Sequence, residues 1–231
     1  MWWELQGYWP QLIAGTWITV KLAFSALLLG LFLGLLGAAC SFSTFKPLAI
    51  WSKIYSALIR GTPELLGVLI IYFGASMLIQ EVASWFDYTE YIEVGPFLAG
   101  TLALALAFGG YASEVFRGAF LAIPPGQWES ASVLGLSRTR TYIKVILPQV
   151  WRYAMPGLGN LFLILLKDTA LISVIGLEDL MRETSLAVAF TREPFTFYFS
   201  ATLIYLLLTW ISMKVLAGIE RHSNRGIVGG M

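Results

Sequence analysis

Three carboxylates stand inside or at the edge of long apolar runs: Glu64 before LLGVLIIYFG, Glu114 in YASEVFRGAF and Asp168 in LLKDTALIS. An ionised group at the centre of a bilayer costs roughly 2.5–3.5 kcal/mol on insertion scales, so each needs a partner or a wet cavity. Glu64 follows Arg60 by four residues and Glu114 precedes Arg117 by three. At those spacings side chains on one helix face can pair, which gives both acids a structural reading. Asp168 has no such neighbour, because adjacent helical residues such as Lys167 diverge by about 100°. The chemistry open to it is charge recognition, since a carboxylate facing a cavity can take a guanidinium bidentately. A structural pair with a cation on another span or another subunit is the alternative. Asn160, Thr169 and Ser173 add hydrogen-bonding groups nearby, and Glu114 borders any central pathway from its helix end.

Catalytic constellations are not legible in the chain. Cys40 is the only cysteine and His222, in a polar tail, the only histidine, so neither a disulfide nor a metal cluster is expected. The G-x-x-x-x-G-K-[ST] phosphate loop is also missing. No basic face coincides with a soluble fold, so nucleic acid is not expected as a partner.

The elements that position these acids follow from composition. Of 231 residues, 58% are hydrophobic and only 13% charged, with mean hydropathy +0.74. A soluble domain carries about 25% charged residues; the deficit predicts an all-α, multi-pass membrane protein forming one transmembrane domain over 1–231. Five spans are read at about 12–39, 50–80, 96–118, 150–175 and 195–218, each long enough to cross a bilayer. The second is read as one kinked span, interrupted at Arg60-Gly61-Thr62-Pro63-Glu64 because proline disfavours helix before itself. Gly30, Gly34 and Gly37 lie near one face of the first span and suit close helix packing within the chain. The patch 186–190 is too short to cross.

Lysine and arginine counts set the orientation. Lys46 and Lys53 follow span one; Arg117, Arg138, Arg140 and Lys144 follow span three; Arg221 and Arg225 follow span five. The segment after span two holds Glu81, Asp87, Glu90 and Glu93 and no base. The positive-inside rule then predicts a periplasmic N-terminus and a cytoplasmic C-terminus. MWWELQGYWP lacks the basic region of a signal peptide, so no cleavage is expected, and its aromatic residues suit an interfacial belt. On counting from Arg152, Asp168 lies ~16 residues and ~24 Å into its span, past the midplane of a ~30 Å core.

The longest polar interruption, 126–148 (GQWESASVLGLSRTRTYIKVILP), falls on the cytoplasmic side. Its first half reads as a short helix with Trp128, Val133, Leu134 and Leu136 available for an apolar contact. Gly135 supplies a turn, and Pro148 suits the first turn of the next helix. An interfacial helix resting on lipid headgroups is the competing reading.

Glu129 to Pro148 resembles the EAA loop of ABC-importer permeases, E-A-A-x3-G-x9-I-x-L-P. Glu129, Ala131, Gly135, Leu147 and Pro148 match, while Ser130 and Val145 depart from it. RGTPELL, YASEVFRGAF, PQVWRYAMPGLGN, LLKDTALIS and REPFTFY resemble the polar amino acid branch, and within it the arginine-transport permeases of Gram-negative bacteria. The resemblance implies an ABC type I importer permease of the bacterial inner membrane, which moves a polar, basic amino acid by alternating access. It implies a cytoplasmic ABC ATPase dimer as partner, which docks at Trp128, Glu129, Ala131, Gly135, Leu136, Leu147 and Pro148. That partner binds ATP and magnesium, and this chain, itself not an enzyme, takes no cofactor. A second permease subunit, sister chain or second copy, and a periplasmic amino-acid-binding protein complete the system. Substrate contacts are expected among Asp168, Asn160, Thr169, Ser173, Glu114 and Glu64. An ion-coupled carrier and a non-transporting membrane anchor are the alternatives. The first usually shows internal repeats, which are not evident here, and the second leaves the spaced loop unexplained.

Overall fold

The computed structural model describes residues 2–86 and 94–223, with side chains from residue 5 onward. Asp87, Glu90 and Glu93 of the acidic segment, Arg225 of the tail and the side chains of Trp2 and Trp3 lie outside the described residues. Every regular element among the described residues is helical. After a 3-10 turn (Trp2–Gly7) come α1 (Trp9–Ser41), α2 (Lys46–Gly61), α3 (Glu64–Ser84), α4 (Pro96–Leu121) and α5 (Pro125–Val133). Then follow α6 (Arg138–Thr141), a π-helical turn (Tyr142–Ile146), α7 (Leu147–Asp168), a 3-10 segment (Thr169–Ile175), α8 (Leu180–Thr191) and α9 (Pro194–Ser223). Five stretches are long and apolar enough to cross a membrane: α1, α3, α4, the rod from Arg138 to Ile175, and α9. That number agrees with the sequence reading.

Two of these stretches differ in detail from that reading. Thr62 and Pro63 adopt extended backbone (ψ 132° and 133°), so the expected kinked span is two helices, and the membrane-length one begins at Glu64. The amphipathic α2 packs separately against α1 and α4. Its Ser52 hydroxyl donates to Gly37 O at 2.7 Å and its Tyr55 hydroxyl to Leu106 O at 2.6 Å. The fourth rod starts at Arg138, well before Val150, because α6, the π turn and α7 run on without a break.

α4 is the central element. Thirteen of its residues are buried, whereas α3 buries only Val68 and Ser76 and α9 only Phe197 and Ala201. The small residues expected to make a packing face do so. A Cβ on Gly30 would stand 2.7 Å from Phe108 Cδ1, and one on Gly34 2.7 Å from Ala112 Cβ. Close approach of this kind replaces the hydrophobic driving force that helices lack in lipid. The exposed faces of α1, α3 and α9 carry large apolar side chains such as Leu28, Ile70, Phe73 and Leu206, which suits lipid or a second subunit. Overpacking a tight contact costs about 1–3 kcal/mol. Gly34→Val is therefore expected to lower the melting midpoint of the detergent-purified protein by several degrees, read by size-exclusion after heating. Gly74→Val, at a glycine with nothing within 4 Å of its Cβ position, is the control expected to melt normally.

α8 is a short helix at the end of the bundle opposite residues 126–148. It buries Leu180, Thr184 and Ala187 against α1 and α9 and leaves Phe190 exposed, so the patch 186–190 does not cross.

Candidate functional site

The structure brings two of the three acids together. Glu64 opens α3 and Asp168 closes α7, and the two carboxylates lie within electrostatic reach of each other. Tyr111 of α4 stands with them: its hydroxyl donates to Glu64 Oε1 at 3.3 Å, and it also senses the charge of Asp168. Three helices thus meet at one polar spot inside an apolar bundle. All three residues are only half-buried, so a ligand can reach them.

The local pair expected for Glu64 does not form, because the extended break at Thr62–Pro63 removes the one-turn relation to Arg60. Arg60 Nε donates instead to Ser56 O at 3.3 Å, and its charge acts on Glu114 and Tyr111. Glu114 pairs as expected: Arg117 Nη2 and Nε donate to its Oε2 at 2.6 and 3.0 Å. That leaves Glu64 and Asp168 as the acids more available to an incoming cation.

The other expected site residues fall elsewhere. Thr169 is fully buried and its hydroxyl donates to Leu166 O at 2.7 Å. Ser173 donates to Ala170 O at 2.8 Å. Each hydroxyl is occupied by the carbonyl three residues earlier, in α7 for Thr169 and in the 3-10 segment for Ser173, a local back-bond that serine and threonine often make. Asn160 is exposed on α7, two turns before Asp168. Tyr111 was missed by sequence reading, although a signal existed. It lies three residues before Glu114, one helical turn away on the same face, in a run where a phenol needs a partner.

The loop 126–148 forms a second site. Ala131 is buried at 3% exposure and accepts the Leu136 amide at 3.1 Å, closing the turn after α5. Gly135 makes that turn with φ +69°, the left-handed region that favours glycine. Trp128, expected at the docking contact, is half-buried against its own subunit. Its ring packs on Phe120 and edge-on to Tyr142, with centroids 5.9 and 5.0 Å away. An indole left in water at this spot would forgo that burial, so the ring clamps α5 to the α4–α7 frame. Gln149 Nε2 ties the same frame to Gln127 Oε1 at 3.2 Å. Leu147 borders a cleft with Ala38, Phe42 and Phe116, while Pro148 is exposed in the first turn of α7. Leu136 is half-buried and Glu129 exposed. What the loop offers outward is Val133 and Leu134, 88% and 76% exposed, beyond a folded and anchored base.

A membrane bundle with a polar meeting point and a rigid loop at one end invites comparison with known carriers. Residues 10–227 match the family of binding-protein-dependent transport system inner membrane components. The chain belongs to this family. It is the permease subunit of an ABC transport system, a multi-pass protein of the inner membrane. Among such components it is 47% identical over 210 residues to the arginine ABC transporter permease protein ArtQ of Haemophilus influenzae, covering 90% of this chain and 91% of that one. It is 41% identical over 220 residues to ArtQ of Escherichia coli K12, covering 90% and 92%. The histidine/lysine/arginine/ornithine permease HisQ of Salmonella typhimurium is 36% identical over 223 residues, covering 96% and 97%. The crystal structure of an amino acid ABC transporter with histidines superposes with TM-score 0.82 at 33% identity, over 96% of this chain and 98% of that one. The inward-facing methionine transporter MetNI, at TM-score 0.74 and 16% identity over 94% and 98%, shares the fold. The inner membrane component thus has the helical architecture of type I ABC importer permeases.

Proposed function

We propose that this permease imports basic amino acids, arginine foremost, and that Glu64 and Asp168 receive the cationic side chain with Tyr111 orienting Glu64. The observation that carries this reading is the convergence of two carboxylates and a phenol from α3, α7 and α4. A guanidinium presents five donors in a planar fork, which matches acceptors approaching from two sides. The relatives named for arginine and for histidine, lysine, arginine and ornithine support the same class.

Energy comes from a cytoplasmic ABC ATPase dimer that binds ATP and magnesium and docks on the outward tip Val133–Leu134, with Glu129 as a polar contact. The anchored base of the loop then passes rigid-body motion to α4 and the Arg138–Ile175 rod as two discrete packings. A second permease subunit, sister chain or second copy, faces this one across the pathway, and a periplasmic binding protein delivers substrate. In this reading the N-terminus is periplasmic and the 126–148 loop cytoplasmic. The test is reconstitution of the co-purified complex in proteoliposomes. Arginine uptake is expected to require ATP and the binding protein together; uptake driven by an ion gradient without ATP overturns the proposal.

A further inference from the structure

At the end of the bundle opposite the 126–148 loop, a carboxylate outside the transport site is sealed from solvent. Asp179 lies between the 3-10 segment and α8, beyond the membrane-length stretches, with 0% of its surface exposed. The α1 backbone passes so close that a Cβ on Gly15 would stand 2.9 Å from the Asp179 carbonyl and from Leu180 N. One turn further along α1, Thr19 Oγ1 accepts the Leu180 amide at 3.1 Å. Asp179 Oδ1 caps α8 by accepting the Arg182 amide at 2.9 Å, a common use of aspartate at a helix start.

The second carboxylate oxygen has no such use. Oδ2 is buried without a hydrogen-bond partner, and so is the Tyr205 hydroxyl of α9. Tyr205 senses the charge of Asp179 and lies beside the Thr169 and Thr19 hydroxyls without reaching hydrogen-bond geometry. Buried polar atoms in folded proteins are rarely left this way, and an uncompensated buried charge is costlier still. A proton on Oδ2 removes the charge and adds a donor, while Oδ1 continues to cap the helix.

We propose that Asp179 is a proton-binding site that latches α8 onto α1, closed when the carboxyl is protonated and loosened when it ionises. Burial pushes this carboxyl from its usual 3.8 up to about 6; the amides of Arg182, Met181 and Asp179 itself oppose the shift and Glu183 adds to it. The charged groups around it are Glu178 beside it in the chain and Arg182 and Glu183 on α8. From the other elements, Gly15 and Thr19 of α1 pack on the Asp179–Leu180 backbone, and Tyr205 of α9 feels its charge. The closed junction therefore binds the proton more tightly than an opened one, where the acid returns to its value in water. Its stabilisation by the proton is full below pH 4 and is lost as pH rises through 6. The latch sits eleven residues past Asp168 and is joined to it by the 3-10 segment, so it anchors the far end of the stretch that carries the transport site.

Hydrogen exchange on the intact transporter complex in nanodiscs tests this at the Leu180 and Arg182 amides, which report the α1 contact and the cap. After correction for intrinsic exchange, their protection is expected to fall about tenfold between pH 5 and pH 7. Asp179→Asn keeps the cap acceptor and puts an amide donor where the proton would sit, so its protection is expected to stay high across that range. Tyr205→Phe removes the facing hydroxyl and is expected to reduce protection at pH 5 more than at pH 7. PH-independent protection in the wild type overturns the proposal, as does an equal tenfold fall in Asp179→Asn. Should Asp179→Asn fail to assemble, the wild-type pH profile and Tyr205→Phe decide alone, and a Tyr205→Phe profile identical to wild type counts against the latch.

Discussion

Asp168→Asn is expected to cut arginine uptake by the reconstituted complex about 10- to 100-fold and glutamine uptake by less than about threefold. The asymmetry follows from what the substitution removes. Asparagine keeps the size and one acceptor oxygen of aspartate but loses the charge. A hydrogen bond to a charged group contributes roughly 1.5–3 kcal/mol, and each 1.4 kcal/mol is about tenfold in binding. A neutral side chain makes no charge-assisted bond there and has little to lose. Asp168 lies at the end of α7, half-buried, with Glu64 and Tyr111 within reach, so the change also relieves repulsion between two acids. That relief favours folding, which separates this outcome from simple destabilisation. Equal losses for arginine and glutamine assign Asp168 a structural part, and unchanged uptake removes it from the pathway. Uptake measured against substrate concentration locates the defect in binding or in turnover.

The second large effect is expected at the tip of the 126–148 loop. Leu134→Asp leaves the subunit intact, because 76% of this side chain is already exposed and no packing within the chain depends on it. Docking on an ATPase is a different matter. An apolar anchor at the centre of an interface is commonly worth 2 kcal/mol or more, and a buried unpaired carboxylate adds a further cost. ATP-driven arginine uptake is accordingly expected to fall at least about 30-fold, with less ATPase co-purifying and membrane insertion unchanged. Val133→Asp, at 88% exposure, follows the same logic. Normal uptake by both variants takes the docking assignment away from this tip. Trp128, half-buried between Phe120 and Tyr142, clamps the base beneath this tip.

The two sites differ in how far a linear reading could reach them. The loop was legible because its signals are local: a glutamate, a small residue, a glycine and a proline at fixed intervals between two apolar runs. Gly135 takes the left-handed conformation its residue type suggested, whereas the burial of Ala131, expected only as a docking contact, was not legible. The direction of Trp128 was not legible, because a short helix with aromatic and aliphatic residues on several sides does not declare which one meets the bundle. The proposed substrate site was half legible. Asp168 stands out as an acid without a partner in its own helix, but the four-residue spacing assigns Glu64 to Arg60.

By itself the sequence determined the number of membrane-length helices, their all-α class and the single long polar loop. All of these follow from run length, hydropathy and residue spacing, which act within a few turns of chain. Only the tertiary structure decided which acids meet. Extended backbone at Thr62–Pro63 separates Glu64 from Arg60, and α3, α4 and α7 converge on one polar point at Glu64, Tyr111 and Asp168. It also decided that Asp179, one acid among several in a mixed-charge segment, is sealed against Gly15 of α1. Such meetings depend on how closely helices from distant parts of the chain pack, and no local pattern encodes that.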